Sequence, residues 1–271
     1  MDKFSIIIPT MLKDKELLSI LIENLIKQEL VGEIIIIDNS TKGFEYSSDK
    51  VKILVQTENI YVNPAWNLGI EVAKYNLFGI LNDDLLIPNN LISEVYEFIN
   101  KHSNCGVLGV ESSSVVNEIE DYNLPEDKTI IFNKIYDIRE GQNWFWGISI
   151  FGKKENYYKI PQKMKIYCGD DYLLLMNKKH GKTNYMISGC TINHIGRLTS
   201  GDEKFEIIKI LDTEFYEKLD KKFKKYEENR LMPKFKPLEY IFCIKNYNKI
   251  YKIIMILGIK LRIRKKEYRG I

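Results

Sequence analysis

The 271-residue chain is poor in the residues that build metal clusters and disulfide frameworks: four cysteines and three histidines. Cys105, Cys168, Cys190 and Cys243 stand 63, 22 and 53 positions apart, with no CxxC pair and no zinc-ligand spacing. They read as reduced packing residues of a cytosolic protein. A long apolar run is also missing. The longest uncharged stretch near the C-terminus, IIMILGI (253–259), falls far short of the roughly 20 residues that span a bilayer. The start, MDKFSIIIPT, lacks a signal peptide's basic segment and cleavage site, so no export is expected. The segment PTMLKDKELL contains no glycine, which argues against a Gly-rich phosphate loop after the first apolar run. Internal repeats and low-complexity segments are absent.

Net charge is only +3 but is unevenly placed. Residues 245–271 hold nine Lys or Arg against one Glu, a local +8 that leaves about −5 elsewhere. An acidic body argues against nucleic-acid binding, and any anionic surface should meet the tail.

With 45% apolar residues the chain can bury a substantial core. FSIIIP (4–9) and EIIIID (33–38) are continuous β-branched runs, the pattern of strands buried on both faces of a parallel sheet. Between them Leu17, Leu18, Leu21, Ile22 and Leu25 recur at helical spacing, giving a β-α-β unit. VKILV (51–55) predicts a third strand and NLFGIL (76–81) a fourth, with a helix between them that Asn63 would cap and Pro64 would open. Asn90 would cap the helix LISEVYEFI before the strand CGVLGV (105–110), and further strands are expected near 129–135, 145–151 and 190–195. The fold class is α/β, a doubly wound sheet, in which ligands bind at the carboxyl ends of the strands. After Gly201 the pattern becomes helical, breaks at Pro233 and Pro237, and resumes as a helix-like basic stretch. This predicts a main domain over 1–200 and a helical accessory extension over 201–271.

Acidic side chains gather at the expected ligand edge. Asp38 ends the second strand, and Asp83 and Asp84 follow the fourth. Aspartates also serve turns and caps, but two adjacent carboxylates repel each other unless a cation is shared. A divalent ion on oxygen ligands suits the pair. Of the histidines, His102 and His180 sit near predicted helix ends, where the dipole alone accounts for them, leaving His194 in TINHIGRLTS.

FSIIIPT, IIIIDNST, NPAWNLGIEVAKYNLFGILNDDLLIP, WFWGISIF and CGDDYLL, in that order over roughly residues 3–200, resemble a family 2 glycosyltransferase of the GT-A fold, with its Rossmann-like mixed sheet. The resemblance implies an inverting, metal-dependent transfer of one sugar from a nucleotide-diphosphate sugar to a glycan or lipid-linked acceptor in polysaccharide biosynthesis. It implies that Asp84 and His194 bind Mn²⁺ or Mg²⁺ and that Asp83 meets the ribose or a metal-bound water. Asp38 would meet the base, and Thr10 and Asn67 would complete the nucleotide site. CGDDYLL resembles the family's ED motif, with Asp170 in place of Glu. Asp171 would be the general base and Asp170 an acceptor-binding or capping residue. Trp146 and Gly147 would form the acceptor wall, the indole stacking on a sugar and the glycine allowing close approach. Met11-Leu12 replace the usual tyrosine-asparagine, and the QxxRW of processive relatives is absent, which favours single additions. A cytoplasmic protein results, its basic tail an amphipathic helix for an anionic membrane face or a homo-oligomer contact. The competing classes are a nucleotidyltransferase of sugar phosphates and a noncatalytic metal- or nucleotide-binding module.

Overall fold

A computed structural model of the chain describes residues 2–116, 122–135, 145–194, 205–220, 239 and 241–268. The chain divides into two compact units, Met1–Asp202 and Glu203–Ile271.

The first unit begins with β1 (Phe4–Thr10), α1 (Lys15–Lys27), β2 (Val31–Asp38), β3 (Val51–Val55), α2 (Val62–Val72), β4 (Leu77–Leu81), β5 (Leu85–Leu86) and α3 (Leu91–Lys101). It continues with β6 (Cys105–Glu111), β7 (Val115–Val116), β8 (Ile131–Lys134), β9 (Phe145–Lys153), α4 (Gly169–Lys179), β10 (Thr183–Ser188) and β11 (Ile192–His194). Eight strands form one sheet in the order β3-β2-β1-β4-β9-β6-β10-β8. The first four are parallel, β9 runs antiparallel to both β4 and β6, β10 is parallel to β6, and β8 is an antiparallel edge. The isoleucine runs of β1 and β2 are buried on both faces, as their unbroken apolar character requires. Asp14 caps α1 by accepting from the Leu17 amide at 3.0 Å, a contact typically contributing about 1 kcal/mol.

Two local expectations change. Helix α2 starts at Val62, after Tyr61 at φ 69°, so Asn63 lies inside the first turn and is not its cap. Its amide Nδ2 instead donates to the Tyr167 carbonyl, and Pro64 is tolerated because the first-turn amides have no helical acceptor. The polar strand β10 was not legible because its Asn184 is accommodated only by tertiary bonds. Asn184 Oδ1 accepts from the Val107 amide at 3.1 Å and Nδ2 donates to the Leu174 carbonyl at 2.9 Å. Asn177 donates to the carbonyls of Asn156 and Leu173, so buried amides fasten α4 to its neighbours. Each such bond contributes on the order of 1 kcal/mol net, and breaking one strands a desolvated partner.

In the second unit α5 (Glu206–Leu219) is helical, but the basic tail is not. It forms an antiparallel sheet of β12 (Phe242–Asn246), β13 (Tyr251–Ile256) and β14 (Ile259–Arg264). The helical expectation for this stretch is corrected. Ile256 pairs with Ile259 across a two-residue turn whose Leu257 and Gly258 both have positive φ, 47° and 81°. That is the hairpin turn whose twist matches two strands. Alternation then buries Ile253 and Met255 while leaving their neighbours outside.

Candidate active site

The C-terminal ends of β1, β2 and β4 carry the first group of polar side chains. Thr10 closes β1, and its hydroxyl donates to Asp83 Oδ2 at 2.5 Å while accepting from the Leu12 amide at 2.8 Å. Leu12 holds a left-handed φ of 52°, and Thr41 and Tyr61, in the loops after β2 and β3, hold 65° and 69°. Such conformations cost about 1–3 kcal/mol each and persist where the surroundings impose them, commonly at ligand sites. Burial pushes the Asp83 carboxyl up to about 6; the Thr10 hydroxyl opposes that rise and the Asp84 charge adds to it.

Asp84 lies just before β5, and β5 pairs antiparallel with β11 so that His194 stands opposite Leu85. This register brings His194 Nε2 to 3.1 Å from Asp84 Oδ1, both residues 6% exposed. The distance is close, yet Oδ1 takes no hydrogen bond. Metal ligation accounts for both facts, because two ligand atoms at right angles, each about 2.1 Å from one ion, stand about 3 Å apart without sharing a proton. The pair therefore fits two neighbouring ligands of a divalent ion. Among the described residues no group of three or more His, Cys, Asp or Glu is arranged to hold a metal. His102 and His180 close α3 and α4, each ring Nδ1 against a carbonyl four residues back, at 2.8 and 2.7 Å.

Asp38 ends β2 fully buried. Its Oδ1 accepts from the Ser40 amide at 2.8 Å, whereas Oδ2 has no hydrogen-bond partner. Asn67 is committed elsewhere: its Oδ1 accepts from Tyr157 Oη and the Ile160 amide, both at 2.9 Å, and its Nδ2 donates to the Ile160 carbonyl at 2.8 Å. This clamp holds the 157–160 segment on α2 and saturates the carbonyl oxygen of Asn67.

The second group surrounds the N-terminus of α4. Asp170 and Asp171 occupy its first turn, where carboxylates complement the helix dipole. Cys168 before them is left-handed at φ 59°. Gly147 and Asp170 come together: a Cβ built on Gly147 would lie 3.2 Å from Asp170 Oδ2 and 3.3 Å from the Trp66 ring. One built on Gly169 would lie 2.1 Å from Asn63 Oδ1 and 3.0 Å from Trp66. Trp66, on α2 and 3% exposed, is thus a wedge between the two glycines flanking the acidic turn. Its signal in the sequence was its position on the same helical face as Asn63 and Ile70, which are also buried. The backbone of Trp146 belongs to β9, but its side chain, like Trp144 and residues 195–200, lies outside the described residues.

Three comparisons bear on this arrangement. A family model described as "Glycosyl transferase family 2" matches residues 5–170. No curated protein matches the chain. Among solved structures, GalNAc-T7 with UDP, GalNAc and Mn²⁺ superposes with a TM-score of 0.61 at 14% identity, over 84% of this chain and 50% of that one. A mannosyltransferase from Pyrobaculum calidifontis in complex with GDP-Man and Mn²⁺ gives 0.51 at 13% identity, covering 72% of this chain and 57% of its own. S. aureus TarS 1-349 gives 0.50 at 15%, covering 88% and 76%. The chain thus spans about half the length of the first two, and at such identities the likeness is one of fold. Since the family model covers more than half of the residues and carries β1 through the start of α4, the chain belongs to glycosyl transferase family 2, with the GT-A fold.

Proposed function

We propose that the protein transfers a single sugar from a nucleotide-diphosphate sugar to a hydroxyl of a glycan or lipid-linked acceptor, with inversion, in the assembly of a polysaccharide. The observation that carries this reading is the buried Asp84–His194 pair, set beside Asp83 and Thr10 at the edge where β1 and β4 end. A divalent ion held there, Mn²⁺ by preference for the imidazole or Mg²⁺, would neutralise charge developing on the leaving diphosphate. Thr10 holds Asp83 in place for a ribose hydroxyl or a bound water. The unmet Oδ2 of Asp38 suits an N–H donor of the base. Related folds solved with UDP or GDP-Man support a nucleotide-linked donor.

Asp171 is assigned as the base. It takes the proton of the acceptor hydroxyl as that oxygen bonds to the anomeric carbon, and the breaking carbon–oxygen bond leaves its electron pair with the nucleoside diphosphate. Asp170, against Gly147, would bind the acceptor, with Trp146 stacking on its sugar face. Residues 201–271 serve as an accessory element that keeps the enzyme at the cytoplasmic membrane face or joins it to a second copy. Among the described residues no helix is long and apolar enough to cross a membrane.

A thermal-shift panel of nucleoside diphosphates and nucleotide sugars with Mn²⁺, followed by donor hydrolysis with and without the ion, tests the proposal. One donor should stabilise the protein and be hydrolysed only with metal. Product of retained anomeric configuration by NMR would refute the displacement mechanism, and metal-independent turnover would refute the role of the Asp84–His194 pair.

A further inference from the structure

Tyr61 holds a backbone conformation that a tyrosine ordinarily avoids. Its φ of 69° is combined with ψ 175°, whereas Cys168, at φ 59° and ψ 14°, lies in the ordinary left-handed region. The combination at Tyr61 belongs to a region that is essentially glycine's alone, and such strain gathers at functional sites. Hydrogen bonds on both sides impose it. The Ile60 amide donates to Asn39 Oδ1 at 3.2 Å and the Tyr61 amide to Asn59 Oδ1 at 2.8 Å. The Tyr61 carbonyl accepts from the Ala65 amide at 3.1 Å as α2 opens. At position 61 these bonds are made by backbone atoms, so a glycine would keep them and relieve the strain. What a glycine would lack is the ring.

The half-buried ring meets the segment that leads into the acidic turn. Lys165 Nζ lies 4.8 Å from its centroid, within the range of a cation–π contact. Asn63, two residues further on, grips the same segment by its backbone. Its amide donates to the Lys165 carbonyl at 2.9 Å and its Nδ2 to the Tyr167 carbonyl at 3.3 Å. Cys168 and Gly169 follow, and then Asp170 and Asp171 in the first turn of α4. Tyr61 thus stands at a joint. On one side its loop is anchored by Asn39, next to Asp38; on the other its ring and the first turn of α2 hold the stretch that delivers the two carboxylates.

We infer that Tyr61 is a positioning residue for the transfer reaction: its ring clasps Lys165 and so holds residues 165–169 and the acidic turn in register. The inference rests on the proposed roles of Asp170 and Asp171, and one arm of its test therefore needs neither donor nor metal. The full chain is compared with Tyr61→Gly, Tyr61→Phe, Lys165→Met and the double variant Tyr61→Gly/Lys165→Met. Tyr61→Gly should melt within about 3 °C of the unaltered protein, because relieved strain offsets the lost ring contact. In the free protein it should speed amide hydrogen exchange across residues 165–171 by about tenfold or more. Turnover is read on whichever of UDP-glucose, UDP-GalNAc, UDP-GlcNAc and GDP-mannose the unaltered protein hydrolyses fastest with Mn²⁺. There Tyr61→Gly should lower kcat by about tenfold or more and move KM by less than about twofold, as a misplaced catalytic group does. Tyr61→Phe keeps the ring and should restore both readouts. Lys165→Met should reproduce both losses, and the double variant should be no worse than either single one. Normal exchange and turnover in Tyr61→Gly, equal losses in Tyr61→Phe, additive losses in the double variant, or a raised KM with kcat unchanged would each overturn the inference. A collapse of the Tyr61→Gly melting temperature would also overturn it, by giving the ring a stabilising task alone. If the unaltered protein hydrolysed none of these donors, the sugar-transfer reading would fall, and the exchange arm would still decide whether the ring holds the segment.

Discussion

His194 Nε2 lies 3.1 Å from Asp84 Oδ1 because the three-residue strand β11 pairs antiparallel with the two-residue strand β5. Neither residue reaches the other through local sequence. Asp84→Asn keeps the volume and removes the charge, so it should abolish Mn²⁺-dependent donor binding in a folded protein. His194→Gln should weaken Mn²⁺ binding by at least about tenfold, since even residues that only orient metal ligands have effects of that size. Titration calorimetry with Mn²⁺ and the preferred nucleoside diphosphate measures both, and normal binding by folded Asp84→Asn would remove the pair from the metal site.

The raised Asp83 carboxyl gives the metal-free protein a pH-dependent stability. In the folded chain Asp83 keeps its proton up to about pH 6, whereas unfolded it releases it near 3.8, the ordinary value for an aspartate. Between those values the folded state holds more protons, so this contribution is fully present below about pH 4 and is lost as pH rises through about 6. The change is on the order of 1–3 kcal/mol before solvent screening is allowed for. Asp83→Asn should raise the melting temperature in EDTA at pH 7.5 more than at pH 4.5. Stabilisation of the unaltered protein by Mn²⁺ should grow across the same interval, because the ion and the proton compete.

Asp171→Asn should lower turnover by about a hundredfold or more, the range of a lost general base, with donor affinity nearly unchanged. Donor binding measured by calorimetry beside single-turnover rates separates the two effects. A parallel collapse of donor affinity would move Asp171 into the nucleotide site.

Gly169 has no room for a side chain because the side-chain amide oxygen Oδ1 of Asn63 occupies the space, 2.1 Å from where a Cβ would stand. Gly169→Ala should cost about 1–3 kcal/mol and displace the acidic turn, lowering turnover more than donor binding. Asn63→Gly in the same protein should recover part of that loss, a coupling of the kind neighbouring residues show in a double-mutant cycle. Additive losses in urea denaturation would mean that the two residues do not compete for this space.

Much of the first unit was legible in the sequence because its physics is local. Unbroken isoleucine runs can only be strands covered on both sides, the leucines of α1 repeat at the helical period, and Asp38, Asp83 and Asp84 stand where those apolar runs stop. The mixed α/β class and the acidic ligand edge follow from that. The tertiary structure alone decided the rest. The pairing of β5 with β11 is too short to leave a periodic pattern, the start of α2 is set by a left-handed Tyr61, and Asn67 is claimed by a segment about ninety residues away. The tail is the clearest case. Lys245, Lys249 and Lys252 fit a helical face as readily as the isoleucines around them fit a strand. The tie is broken by the Leu257-Gly258 turn, which folds Ile256 onto Ile259, so that a sheet buries Ile253 and Met255.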